Sequence, residues 1–141
     1  NNSNEKWSDH KQAYQSILNL ESQIDFFIQK YNLEPDQIDL LGFSQGAVLS
    51  WTLLLDFSIK INRAVCLSGY IDKSLLKEDI YSYRDIIAYS SHGTNDPVIP
   101  FDWAKTSIES LKENNPNVVF NSFQDAHNVS QENFQSILNW L

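Results

Sequence analysis

The sequence predicts an α/β fold, a mostly parallel β-sheet with helices on its faces. Short apolar runs at 38–41, 63–69, 85–91 and 117–123 alternate with stretches of helical periodicity. Strands that alternate with helices in this way form βαβ units, whose right-handed crossovers cover the faces of one sheet. The run at 63–69 is apolar almost throughout, as a strand buried on both faces must be. The 141 residues amount to one domain, residues 1–141, and no linker or internal repeat divides them.

Taken in order, residues 1–7 are polar and read as a lead-in. Ser8 or Asp9 can cap a helix that runs to about Tyr31. Its Tyr14, Ile17, Leu18, Ile24, Phe27, Ile28 and Tyr31 recur at helical spacing and predict one buried face. Segment 32–36 is a turn in which Pro35 blocks further helix. Strand 38–41 then enters Gly42-Phe43-Ser44-Gln45-Gly46, and a helix follows over 45–56. After strand 63–69 comes a short polar segment with a helical turn around 74–78. Strand 85–91 ends in the turn formers His92-Gly93-Thr94-Asn95-Asp96-Pro97, before a helix over 101–114. Strand 117–123 sets Val118, Phe120 and Ser122 on one face. A loop carrying His127 leads to the last helix, 131–141, with Phe134, Ile137, Leu138 and Leu141 in one stripe.

Composition excludes several classes of function. The net charge of −8 repels nucleic acid and anionic membrane surfaces. No run reaches the roughly 18 apolar residues of an integral membrane segment. The one cysteine, Cys66, rules out an internal disulfide and any cysteine-based metal cluster. It sits in an apolar strand and reads as an inert buried residue. The chain opens on Asn1 and holds no methionine, so it is expected to be the C-terminal portion of a longer, cytoplasmic protein.

The chemistry gathers at Ser44. A strand that reverses into a helix within a few residues forces its central residue into a strained backbone. Glycines at 42 and 46 carry no Cβ to clash there, so the Ser44 hydroxyl can stand free at the tip. The helix N-terminus behind it favours developing negative charge. Reactive residues in an open α/β sheet collect at the carboxyl ends of the strands. Ser44, Asp96 and His127 follow the first, third and fourth strands, so topology delivers all three to one edge. A serine nucleophile needs an imidazole base, and the imidazole needs a carboxylate to set its tautomer. The order Ser, Asp, His is that of α/β-hydrolases. Other residues compete for these roles. His10 lies in the polar lead-in, and His92 reads as structural, satisfied by backbone groups of its loop. Asp72 is an alternative acid, and Asp125 is too near His127 in sequence to approach its ring comfortably. No His, Asp and Glu set has metal-ligand spacing, and no Gly-rich phosphate loop exists.

Four blocks carry a resemblance. Gly-Phe-Ser-Gln-Gly-Ala at 42–47, Leu-Ser-Gly-Tyr at 67–70, His-Gly-Thr-Asn-Asp-Pro-Val-Ile-Pro at 92–100 and Ala-His-Asn-Val-Ser-Gln-Glu-Asn-Phe at 126–134 follow one another along the chain. In that order they resemble the acyl-protein thioesterases and carboxylesterases among the α/β-hydrolases. The resemblance covers about 15–141 and implies a three-layer α/β-hydrolase fold, of which the four C-terminal strands are present here. It places the catalytic serine, acid and base on Ser44, Asp96 and His127. It implies hydrolysis of carboxylic esters or thioesters, including acylated cysteines, with no cofactor and no metal. The short 70–84 segment agrees with the small or absent lid of that family. The resemblance assigns one oxyanion donor to the Gln45 backbone N–H and the second to a His-Gly loop outside this chain. Loss of one such donor typically costs about 10²–10³ in rate. Val98 and Ile99, beside the acid, are candidates to line an acyl pocket, against the plainer role of strand-to-helix packing. Ala47 and Ala126 stand where the family usually has glycine. The expected substrates are small or protein-borne uncharged acyl groups, since no basic cluster awaits an anion. Two other readings share the fold: a hydrolase of lactones or peptides, and a non-catalytic binding relative.

Overall fold

The computed structural model describes residues 10–141, so the lead-in at 1–7 and the caps Ser8 and Asp9 lie outside the described residues. The elements are α1 (His10–Tyr31), β1 (Asp39–Phe43), α2 (Gln45–Asp56), β2 (Arg63–Leu67), β3 (Ala88–Gly93), α3 (Phe101–Lys112), β4 (Val118–Phe123) and α4 (Gln131–Trp140). Short 3-10 turns lie at Pro35–Gln37, Lys73–Leu75 and Ile80–Ser82. The strands are all parallel, in the order β1-β2-β3-β4.

With sequential strands, right-handed crossovers put the connecting helices on one face. Burial follows the strand alternation. Ala64 and Cys66 of β2, Ala88 of β3 and Val118 of β4 pack with Val48 and Trp51 of α2 and with Ile108 and Leu111 of α3. Their neighbours Val65, Leu67 and Tyr89 face the other way, onto Ile137 of α4. The result is three layers, helices over sheet over helix. Burial pushes the Cys66 thiol well above its ordinary range, so it carries no thiolate at neutral pH.

Several boundaries differ from the sequence expectation, each for a local reason. β1 extends through Gly42 and Phe43, because Phe43 pairs with Leu67 and the Ser44 N–H still reaches the Leu67 carbonyl. β2 stops at Leu67, because Ser68 turns to a φ of 55°. β3 begins at Ala88 rather than 85. Asp85 has a φ of 62°, and the Ile86 N–H is taken by the Asn115 side chain instead of a strand. The β2–β3 segment holds two 3-10 turns where one helical turn was expected.

The largest difference is in α1. Its contact line on α2 is Ala13 and Ile17, continued by the partly buried Leu20 and Ile24. Tyr14, Leu18, Phe27 and Tyr31 of the predicted face are exposed. Among the described residues the main helix contact of α1 is with α2, through this narrow line, and the flanking apolar positions stay outside it.

Candidate active site

Ser44 is the half-buried residue between β1 and α2. Its φ of 60° and ψ of −122° lie outside the regions that L-residues favour. Of the two glycines that flank Ser44, the crowded one is Gly42. A Cβ there would come within 2.2 Å of the Gly46 carbonyl oxygen and 2.5 Å of Ser50 Oγ. Gly46 faces open space and has no positive φ, so the sequence argument for that glycine does not hold. What presses on Gly42 is the Gly46 carbonyl, held in place by the Ser50 hydroxyl at 2.7 Å. Gln45 is the first residue of α2, and its exposed position leaves its N–H among the helix's unpaired leading donors.

The acid and the base arrive on two loops that are stitched together. The Thr94 N–H donates to the Phe123 carbonyl (2.8 Å) and the Asn95 N–H to the Asp125 carbonyl (3.0 Å). Gly93 permits this approach, since a Cβ there would lie 2.2 Å from the Ala126 oxygen. The loop after β4 therefore crosses the end of β3 and lowers His127 beside Asp96. His127 Nδ1 lies 2.7 Å from Asp96 Oδ2, and His127 Nε2 lies 2.8 Å from Ser44 Oγ. In the matching tautomer, Nδ1–H donates to the carboxylate and Nε2 accepts from the serine hydroxyl. The Phe43 ring leans on the imidazole, with centroids 4.9 Å apart. That contact carried no sequence signal beyond Phe43 being next to Ser44.

Burial of Asp96 by itself raises its pKa. Hydrogen bonds from His127 and from the Ile99 and Val98 N–H groups outweigh that and hold the carboxyl below the ordinary range. Both of these N–H groups reach Oδ1, at 2.9 and 2.8 Å, leaving Oδ2 for His127. His92 is buried, and its Nε2 contacts both the Ile99 carbonyl (2.8 Å) and Asp96 Oδ2 (3.2 Å). The backbone partner matches the sequence reading of His92, and the carboxylate contact is additional.

The competing residues fall elsewhere. Asp72 caps the Lys73–Leu75 turn through the Ser74 N–H and hydroxyl. Asp125 Oδ2 is buried without a hydrogen-bond partner, and it is the Asp125 backbone that joins the two loops. His10 is exposed at the start of α1, near the Ser74 carbonyl. Val98 is exposed beside Asp96, whereas the Ile99 side chain is buried in the core with Ala104 and Ile108. Ile99 thus packs strand to helix instead of lining an open pocket. Among the described residues, no three His, Cys, Asp or Glu side chains converge as metal ligands would. No helix among them is long and apolar enough to cross a membrane.

The sequence and the fold match known proteins. Residues 2–141 fit the model of the phospholipase/carboxylesterase family. The chain is 32% identical over 119 residues to an acyl-protein thioesterase 1 of Candida albicans, covering 79% of this chain and 52% of that protein. It is 30% identical over 132 residues to the acyl-protein thioesterase 1 of Debaryomyces hansenii, covering 91% of this chain and 57% of that one. Among solved structures, a Bacillus cereus carboxylesterase superposes with a TM-score of 0.81 at 18% identity, over 94% of this chain and 61% of that one. The chain thus spans about half the length of the curated relatives it matches. With a parallel α/β sheet and a family model matched along nearly its whole length, this chain belongs to the phospholipase/carboxylesterase family of α/β-hydrolases.

Proposed function

We propose that these residues form the nucleophile, base and acid of a serine hydrolase that cleaves carboxylic esters or thioesters through an acyl-enzyme. The observation that carries this reading is the continuous line from Ser44 Oγ through both ring nitrogens of His127 to Asp96 Oδ2, at 2.8 and 2.7 Å. His127 Nε2 takes the proton as Ser44 Oγ attacks the acyl carbonyl, and then gives it to the departing alcohol or thiol. Asp96 keeps Nδ1 protonated and stabilises the imidazolium that forms. The Gln45 N–H, at the head of α2, faces the developing oxyanion, and a second donor comes from outside these residues. Water, activated by the same imidazole, then releases the acid. No cofactor enters these steps. Val98, exposed next to Asp96, is available to touch the acyl chain. The name acyl-protein thioesterase, borne by these relatives, supports reading the substrates of this chain as acylated ones, protein-borne thioesters included, rather than lactones or peptides.

The test is turnover of p-nitrophenyl butyrate and labelling by a fluorophosphonate probe in the full-length protein. Wild type is expected to turn over the ester and to be labelled at Ser44. Ser44→Ala is expected to lose both, with at least about 10³-fold less turnover. Equal rates in the two proteins would overturn the assignment and leave the fold serving as a binding module.

A further inference from the structure

Two contacts of different kinds reach His127 from the end of β1. One is the hydrogen bond between Ser44 Oγ and His127 Nε2, at 2.8 Å. The other is the Phe43 ring, tilted at 45° to the imidazole with the centroids 4.9 Å apart. Among the described residues, no other hydrogen bond joins the turn at 42–46 to the loop that carries His127. The backbone bonds of that loop run instead to Thr94 and Asn95, after β3. His127 Nδ1, at 2.7 Å from Asp96 Oδ2, is held at the other end of the ring, and a bond at that one atom does not set the ring's tilt.

We infer that Phe43 is a positioning residue that keeps His127 aimed while Ser44 is acylated. This rests on the hydrolase reading above. The two contacts fare differently in that reaction. Once acylated, Ser44 Oγ is an ester oxygen with no hydrogen to give, so the neutral His127 Nε2 has nothing to accept from it. The second half of the reaction still needs Nε2 in place. It takes a proton from water as the water oxygen attacks the ester carbonyl, and returns it to Ser44 Oγ as the C–O bond breaks and the acid departs. An apolar ring contact does not depend on where the proton is, so it persists through both halves. Phe43 also stands on the same strand end as the acylated oxygen. It pairs with Leu67 in the parallel ladder, and the next N–H, that of Ser44, reaches the Leu67 carbonyl at 2.8 Å. The ring that backs the imidazole and the oxygen that carries the acyl group are therefore fixed to one support.

The test follows p-nitrophenyl butyrate in the full-length protein, by stopped flow through the first turnover and then at steady state. Misaiming a catalytic group typically costs about 10- to 100-fold. Phe43→Ala is expected to release one p-nitrophenolate per enzyme in a burst and then to turn over slower than wild type by about that factor. Because the loss falls on the second step, KM should drop with kcat and kcat/KM should change little. Phe43→Leu keeps apolar bulk without a ring; it should move in the same direction and takes over if the Ala variant does not fold. Phe43→Tyr keeps the ring and should recover most of the rate. A folded Ala or Leu variant with wild-type kcat would overturn the inference. So would a raised KM at unchanged kcat, which would make Phe43 a wall for the substrate, or a fall in kcat/KM as large as that in kcat. The hydrolase reading fails separately, in wild type, if that protein neither turns over the ester nor is labelled by fluorophosphonate; the positioning role then falls with it.

Discussion

Ser44 is held at a φ of 60°, a conformation that costs a serine about 1–3 kcal/mol. Glycine relieves that strain, offset in part by its freer unfolded chain. Ser44→Gly should thus raise stability by about 1 kcal/mol in thermal unfolding while removing the nucleophile. The two glycines flanking Ser44 should respond differently. Gly42→Ala drives a Cβ into the Gly46 carbonyl and should destabilise by at least about 3 kcal/mol or prevent folding. Gly46→Ala meets open space inside a helix and should be neutral or slightly stabilising, by about 0.5–1 kcal/mol, in the same measurement. Asp96 makes a pH prediction. Its carboxyl titrates below the ordinary range in the folded chain, so its contribution is complete above about pH 4 and is lost as pH falls through the folded value. Urea midpoints should fall on acidification in that window, and in Asp96→Asn this part of the fall should be missing.

Among the elements, α4 shows what a stripe of apolar letters leaves out. Phe134, Leu138 and Leu141 are exposed, and the helix is seated by Ile137 and by a polar residue, Asn133. Asn133 accepts from the Tyr89 hydroxyl at 2.9 Å and donates to Ser91 Oγ at 2.8 Å. That network ties α4 to β3, next in sequence to His92. Asn133→Ala removes the amide from Ser91 Oγ and leaves the Tyr89 hydroxyl with Ser136 Oγ alone, and should cost about 1–3 kcal/mol in urea denaturation. Strand and helix types were legible, because apolar periodicity follows directly from which faces the layers cover. Which helix positions touch a neighbour was not legible. That depends on the width of the neighbour, as the narrow contact line of α1 and the polar seat of α4 show. Asn115 is a further case. Its side chain occupies the Tyr83 and Leu111 carbonyls and the Ile86 N–H, and so delays the start of β3 by three residues relative to the apolar run.

In the whole molecule, β1 and β4 are the two edges of the sheet. Leu41 and Phe43 of β1 lie on the face that α4 covers over β3, but they are 69% and 42% exposed. With the outward apolar side chains of α1 and α4 they leave several large apolar groups exposed among the described residues. This chain alone should bind the dye ANS in its folded state. Leu41→Glu should reduce that fluorescence without lowering the unfolding midpoint, because the side chain it replaces has little to lose by exposure. An open strand edge of this kind also favours self-association. Sedimentation of the 141-residue chain should show it, and Leu41→Glu should suppress it.

By itself the sequence determined the α/β class, the succession of strands and helices along the chain, the parallel sense of the strands, and the strand ends at which Ser44, Asp96 and His127 stand. These follow from short-range periodicity and from the handedness of crossovers, both of which act along the chain. The distances among the three side chains were decided only in the tertiary structure. They depend on the Gly93 crossing, the backbone bonds between the two loops and the contacts that surround one carboxylate, which join residues far apart in the chain. For the same reason the crowded glycine beside Ser44 proved to be Gly42, and His92 proved to lie against Asp96. A residue's letter shows what it can bond, and the packing of its neighbours decides what it does bond.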